Sequence, residues 1–253
     1  MPSIRLIARL DIKGPDLIKG VQLEGWRKIG DPAAFARRYY EDGADELIYM
    51  DVVASLYERN NLTDIVERTA REVFVSLCVG GGIRSVDDVS RLLRVGADKV
   101  AVNTAATRRP ELITELAERF GSQCIVLGIE AKRLASGAWE AYTDNGREKT
   151  GLDVVEWAAR GAALGAGEIF LTSVDRDGTC KGFDDELIRA VSGRVSLPVI
   201  AGGGLGSADD LCRVVADTGV GAVAIGRALH TNRVSFPSLR EEGQRAGLPL
   251  RTP

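Results

Sequence analysis

The sequence predicts a (β/α)8 TIM barrel built from two repeated half-barrels, with residues 1–253 forming a single domain. Three observations predict it: eight short apolar runs rich in β-branched residues, amphipathic stretches of helical period between most of them, and an internal repeat. The length of 253 residues suits one closed barrel, since such barrels take about 250 residues around one core.

The strand candidates run from Ile4 to Asp11, Glu46 to Asp51, Val73 to Val79, Lys99 to Asn103, Cys124 to Glu130, Glu168 to Ser173, Pro198 to Ala201 and Ala222 to Gly226. Helical patterns cover Pro32 to Asp42, Ser85 to Val95, Pro110 to Phe120, Asp153 to Leu164, Asp184 to Ser192 and Ala208 to Thr218. Several begin with Ser, Asp or Pro, the residues that satisfy or omit the free N–H groups of a first turn. The repeat is visible in the pairs Gly43-Ala44-Asp45-Glu46-Leu47 with Gly165-Ala166-Gly167-Glu168-Ile169 and Gly80-Gly81-Gly82 with Gly202-Gly203-Gly204, each 122 positions apart. With a small gap, Asp11-Ile12-Lys13 falls on Glu130-Ala131-Lys132, which sets two carboxylates at equivalent strand ends across one barrel mouth.

Composition excludes several classes of function. With 33 Lys+Arg against 36 Asp+Glu, the net charge of -3 gives no basic footprint for nucleic acid. Apolar runs such as 195–201 fall far short of the ~20 residues that span a bilayer, so no membrane partner is expected. The N-terminus enters a strand pattern at once, without the regions of a signal peptide, and a cytoplasmic location is the expectation. Cys78, Cys124, Cys180 and Cys212 are scattered and His230 is the single histidine, so the expectation is free, mostly buried thiols and no metal or cofactor.

The chemistry-bearing motifs lie at strand ends. Gly80-Gly81-Gly82-Ile83-Arg84-Ser85 and Gly202-Gly203-Gly204-Leu205-Gly206-Ser207 each follow a strand and open a helix, where small residues let backbone N–H groups approach an anion. Two such loops, each followed by a strand ending in small or polar residues (Asn103-Thr104, Gly226-Arg227), favour a ligand with a phosphate at each end over simple tight turns. Asp11 and Glu130 suit general acid and base work, each perturbing the other. Asp177, beside Gly178, either starts a turn or binds a substrate hydroxyl; Lys19, in the Gly14 to Asp31 connection, is either a solvated lysine or a phosphate-directed one on a mobile loop. Strand alternation puts Arg5, Ile7, Arg9 and Asp11 on one face, and Glu46, Lys99 and Glu168 near the starts of three other strands. A ring of Arg5, Glu46, Lys99 and Glu168 across the barrel floor follows, acting as a structural plug or as a gate.

Together these residues resemble the cyclase subunit of imidazole glycerol phosphate synthase along essentially the whole chain. The resemblance rests on Leu10-Asp11, Lys19-Gly20, Gly43 to Glu46, Val79 to Ser85, Gly96 to Lys99, Gly121 to Ile125, Ala131 to Arg133, Thr150 to Leu152 and Asp175 to Thr179. It implies a lyase subunit that pairs with a glutaminase and takes ammonia through the lumen. At the mouth the ammonia meets a bis-phosphorylated substrate, phosphoribulosyl formimino aminoimidazole carboxamide ribotide, which becomes imidazole glycerol phosphate and the aminoimidazole carboxamide ribotide of histidine biosynthesis. The implied roles are acid–base chemistry for the positions of Asp11 and Glu130 and a gate for Arg5, Glu46, Lys99 and Glu168. Substrate contact falls to Lys19, Gly81, Gly82, Asn103, Thr104, Thr172, Asp177, Gly178, Gly203, Gly204, Gly226 and Arg227, and the glutaminase interface to Asp98 and Gln123.

The chain departs from the family at the mouth. Glu130 stands where the family has Asp, Arg9 where it has a small residue, and Gly202 and Gly226-Arg227 where it has serines. An unpaired buried arginine is costly, so Arg9 is expected to pair with Glu130 above Gly128 and to hold it as a carboxylate. These departures open a second reading, a paralogue without its own cyclase chemistry that activates a glutaminase and conducts ammonia to a sugar amidotransferase of surface polysaccharide synthesis. A third, the sugar-phosphate isomerase of histidine synthesis, shares the barrel and the loops but needs no floor ring.

Overall fold

The computed structural model describes residues 3–54 and 62–251. Eight strands form the barrel: β1 (Arg5–Lys13), β4 (Glu46–Asp51), β5 (Ser76–Gly80), β6 (Lys99–Val102), β7 (Ile125–Arg133), β10 (Glu168–Ser173), β11 (Val199–Gly202) and β12 (Ala222–Ile225). All pair in parallel, and β12 returns to β1 with Arg5 opposite Ala222, which closes the cylinder. Among the described residues no helix is long and apolar enough to cross a membrane.

Side-chain alternation divides the core in two. Leu6, Ala8, Leu10 and Ile12 of β1 belong to the layer between barrel and helices, whereas Ile7 joins Ile48, Cys78, Ala101, Val126, Phe170, Ile200, Ala222 and Ala224 in the lumen. The lumen at mid-height is therefore packed with apolar side chains, which confines charge to its two ends. Cys78 is buried there, while Cys124, Cys180 and Cys212 are only partly buried, so the thiols are less enclosed than expected.

The repeat extends into the helix caps. Ser85 caps the helix Val86–Arg94 in a box with Asp88, and Ser207 caps Ala208–Thr218 in a box with Asp210, again 122 positions apart. Each capped helix follows a glycine loop.

Two hairpins add to the eight strands that the sequence predicts. The Gly14 to Asp31 connection contains β2 (Asp16–Val21) and β3 (Glu24–Gly30), and its counterpart contains β8 (Trp139–Thr143) and β9 (Glu148–Asp153). Strand β2 pairs antiparallel with the end of β1, Asp11 opposite Ile18, as β8 pairs with the end of β7, Glu130 opposite Tyr142. The Lys19 segment is thus a strand extending the barrel wall over its mouth, and Lys19 is buried there rather than solvated. Its tip is docked: Gln22 N–H donates to Asp177 O at 2.8 Å, and Asn145 Nδ2 to Leu23 O at 3.2 Å.

Candidate active site

The barrel floor carries a closed ring of charge. Arg5 Nη1 lies 2.6 Å from Glu46 Oε2 and its Nη2 bonds Glu168, while Lys99 Nζ is 3.0 Å from both Glu46 Oε1 and Glu168 Oε2. Each cation bridges both anions, so two cations and two carboxylates satisfy one another without a ligand. Burial works against the Lys99 charge, yet Glu46 and Glu168 outweigh it and raise its pKa. Asp98 and Gln123, both exposed, lie beside this end; Asp98 Oδ2 also accepts the Leu77 N–H at 2.8 Å and so anchors the start of β5.

At the other end, β1 delivers Arg9 and Asp11, β2 delivers Lys19, and the loop after β10 delivers Asp177. Arg9 Nε donates to Asp11 Oδ1 at 2.8 Å, Lys19 Nζ to Asp11 Oδ2 at 2.5 Å and to Asp177 Oδ2 at 2.9 Å. Arg9 Nη1 reaches Thr172 Oγ1 at 3.2 Å and sits 3.7 Å from Asp177 Oδ1, its guanidinium carbon 5.4 Å from the Phe170 ring centre. All four ionic groups are buried, and their charges cancel. Burial opposes the Asp11 charge, but Arg9 and Lys19 overcome it and hold the carboxyl well below the usual carboxylate range.

Glu130 stands apart from this cluster, and the expected Arg9–Glu130 ion pair does not form. Arg9 and Asp11 are two residues apart on one strand face, so the nearer carboxylate takes the guanidinium. Glu130 Oε2 instead accepts the Gly146 N–H at 2.8 Å. Desolvation pushes its carboxyl up to about 7, against that hydrogen bond and the Arg9 charge, so near neutrality it holds a proton part of the time. Glu130 is therefore not locked as a carboxylate, and it can both give and accept a proton.

A cavity of about 250 Å³ opens beside Glu130, lined also by Gly81, Gly82, Asn103, Thr104 and Arg108. Gly81 has φ +102°, and a Cβ there would lie 2.3 Å from Asp51 O, so the loop reaches this shape only with glycine. The second loop is nearly filled: the space among Arg9, Asp177, Gly178, Gly203, Gly204, Gly226 and Arg227 is about 10 Å³, and Lys19 lies against Gly226. Lys19 here faces carboxylates, and its place over Gly226 covers the second loop.

Several site residues lie outside those that the sequence reading singles out. Asp144 lies beside Thr104, 3.5 Å between Oδ1 and Oγ1, with Arg108 Nη2 at 3.4 Å from Oδ2, and Asn145 joins the two hairpins. The β8–β9 turn that brings them to the mouth has positive φ at Asp144, Asn145 and Gly146, and Asp-Asn-Gly was a turn signal that would have found it. His230 lies behind the Lys19–Asp11 cluster: its Nδ1 is 2.6 Å from Tyr39 Oη, and burial with the Lys19 charge pushes its pKa down to about 3.

The profile of the family described as "Histidine biosynthesis protein" matches residues 5–235, which contain both charged ends and both glycine loops. The chain is 48% identical over 252 residues to the imidazole glycerol phosphate synthase subunit HisF of Myxococcus xanthus, covering 100% of this chain and 99% of the relative. The chain belongs to the family of these HisF subunits. HisF of Dehalococcoides mccartyi is 47% identical over 251 residues, 99% of each chain, and that of Legionella pneumophila is 65% identical over 210 residues, 83% of this chain and 99% of the relative. These relatives bear the cyclase subunit's name, which favours a HisF-type lyase of histidine biosynthesis over the conduit-only and isomerase readings.

Proposed function

We propose that the chain uses ammonia, supplied by a glutaminase subunit docked at the floor ring, to convert phosphoribulosyl formimino aminoimidazole carboxamide ribotide into imidazole glycerol phosphate and aminoimidazole carboxamide ribotide. The observation that carries the reading is the placement of Glu130, a carboxyl tuned to about 7, on the wall of a cavity whose rim is the Gly81–Gly82 loop. That loop and the Asn103–Thr104 strand end offer one phosphate a seat, and Arg108 offers it a cation.

Ammonia addition creates a cationic nitrogen that must lose a proton, and expulsion of the aminoimidazole nitrogen requires one. A group poised near neutrality serves both transfers, and that group is Glu130. Asp11, held ionised by Arg9 and Lys19, stabilises positive charge that develops beside it. For the second phosphate to reach Gly203, Gly204, Gly226 and Arg227, Lys19 leaves Gly226, and with its cation it then follows the phosphate. The test is reconstitution: given the ribulosyl formimino substrate and glutamine, this chain with a glutaminase subunit forms imidazole glycerol phosphate, while neither protein does so alone; failure of the mixture to form it refutes the reading.

A further inference from the structure

The lumen and the reaction cavity meet at the layer that contains Arg9, and this layer is lopsided. On one side the Arg9 guanidinium is pinned to Asp11, Thr172, Asp177 and the Phe170 ring, all from β1, β10 or the loop after β10. The space behind it, toward Gly204, Ala224 and Gly226, has room for about one water. Swinging Arg9 aside leaves Asp11 and Asp177 buried with Lys19 as their one remaining cation partner, which is costly. This side is sealed by chemistry as well as by volume.

The other side is built from small and flexible residues. Met50 and Ala101 line the cavity and also pack with the apolar lumen layer of Ile48, Cys78 and Val126. Gly80 and Gly128 add no side chain there. A Cβ on Gly80 would meet Met50 Sδ at 2.6 Å and Ala101 Cβ at 3.0 Å, so the Met50 thioether lies directly over Gly80, where the lumen layer meets the cavity. Methionine is unbranched and rotates readily, and its departure exposes an apolar opening.

We propose that ammonia enters the reaction cavity past Met50, between Ala101 and Gly128, and that Arg9 seals the opposite side of the lumen. The inference rests on the cyclase reading and adds the route. A neutral, water-sized molecule crosses an apolar opening of this kind, whereas a paired guanidinium offers no comparable gap.

The experiment compares glutamine-dependent with ammonium-dependent turnover in the complex with the glutaminase subunit, because external ammonium reaches the cavity from the open mouth. Ala101→Leu is expected to lower the glutamine-to-ammonium ratio about tenfold by filling the passage, with Ala101→Val as the milder variant if leucine overfills the lumen. Adding Arg9→Ala to Ala101→Leu is expected to return the ratio to within about threefold of the parent, since it opens the sealed side. An unchanged ratio in the Ala101 variants, or no recovery in the double variant, overturns the route. Krypton-pressurised crystals of the chain decide it without turnover: a krypton atom among Met50, Ala101 and Gly128 is expected, and its absence there or its presence beside Thr172 and Gly226 overturns the proposal. A chain that fails to turn over substrate with ammonium refutes the cyclase reading instead, and the krypton position still decides the route.

Discussion

The guanidinium of Arg9 holds the carboxylate of Asp11 at 2.8 Å, two residues along the same face of β1, and this one contact divides the labour at the barrel mouth. With Lys19 on its other oxygen, Asp11 is kept an anion, and Glu130 becomes the carboxyl that titrates near neutrality.

Removing the Arg9 charge should destabilise the fold. Arg9→Met keeps the length of the side chain but leaves Asp11 and Asp177 to share Lys19, an uncompensated buried negative charge that costs about 3 kcal/mol. The expected result is a lower urea midpoint with an unchanged slope. Parental stability in Arg9→Met contradicts the charge-balanced cluster.

Glu130 should make stability depend on pH in a particular direction. Its folded pKa of about 7 lies above the free value of about 4.3, so between these the folded state binds more protons than the unfolded one. The contribution to stability is complete below about 4.3 and is lost as pH rises through 7. Glu130→Gln, which still accepts from Gly146 N–H, should therefore gain on the parent between pH 5 and pH 8. The gain is about 3 kcal/mol at most, and less because water reaches the cavity edge. Urea titrations at the two pH values measure it, and a constant difference contradicts the raised pKa.

Gly81→Ala should injure the open glycine loop. The new Cβ meets Asp51 O at 2.3 Å in a backbone of φ +102°, a strain of about 1–3 kcal/mol. Imidazole glycerol phosphate, titrated calorimetrically, should bind about tenfold more weakly. Gly137→Ala, at φ +90° with open space around it, serves as the comparison and should leave binding as in the parent.

Much of this was legible in the sequence because it follows from periodicity. The alternation along Arg5, Ile7, Arg9 and Asp11 placed charge at both ends of one strand, and the structure brings Arg5, Glu46, Lys99 and Glu168 into one ring as that alternation implied. The hairpins are not legible in the sequence because β3 and β9 are largely exposed, polar and interrupted by glycine, so they lack the apolar alternation that marks a strand. The positions of Lys19, Asp144 and Asn145 depend on these hairpins. The partner of Arg9 differs from the expectation for another reason: the repeat alignment sets Asp11 and Glu130 as equivalents, whereas Asp11 shares the face of β1 with Arg9 and lies within its reach.

The floor ring should couple the two subunits. Lys99→Met leaves Glu46 and Glu168 bridged by Arg5 alone. In the complex with the glutaminase subunit, the expected result is more glutamine hydrolysed per imidazole glycerol phosphate formed, measured as glutamate against product. A parental ratio contradicts a gating role for the ring.

The most direct measurement is turnover of the ribulosyl formimino substrate by the purified chain at saturating ammonium, without glutaminase, beside Asp11→Asn and Glu130→Gln. Turnover in the parent that falls by about a hundredfold or more in Glu130→Gln, and falls also in Asp11→Asn, is the expected result. A folded parent that forms no imidazole glycerol phosphate, or a Glu130→Gln variant as active as the parent, contradicts a cyclase whose proton carrier is Glu130.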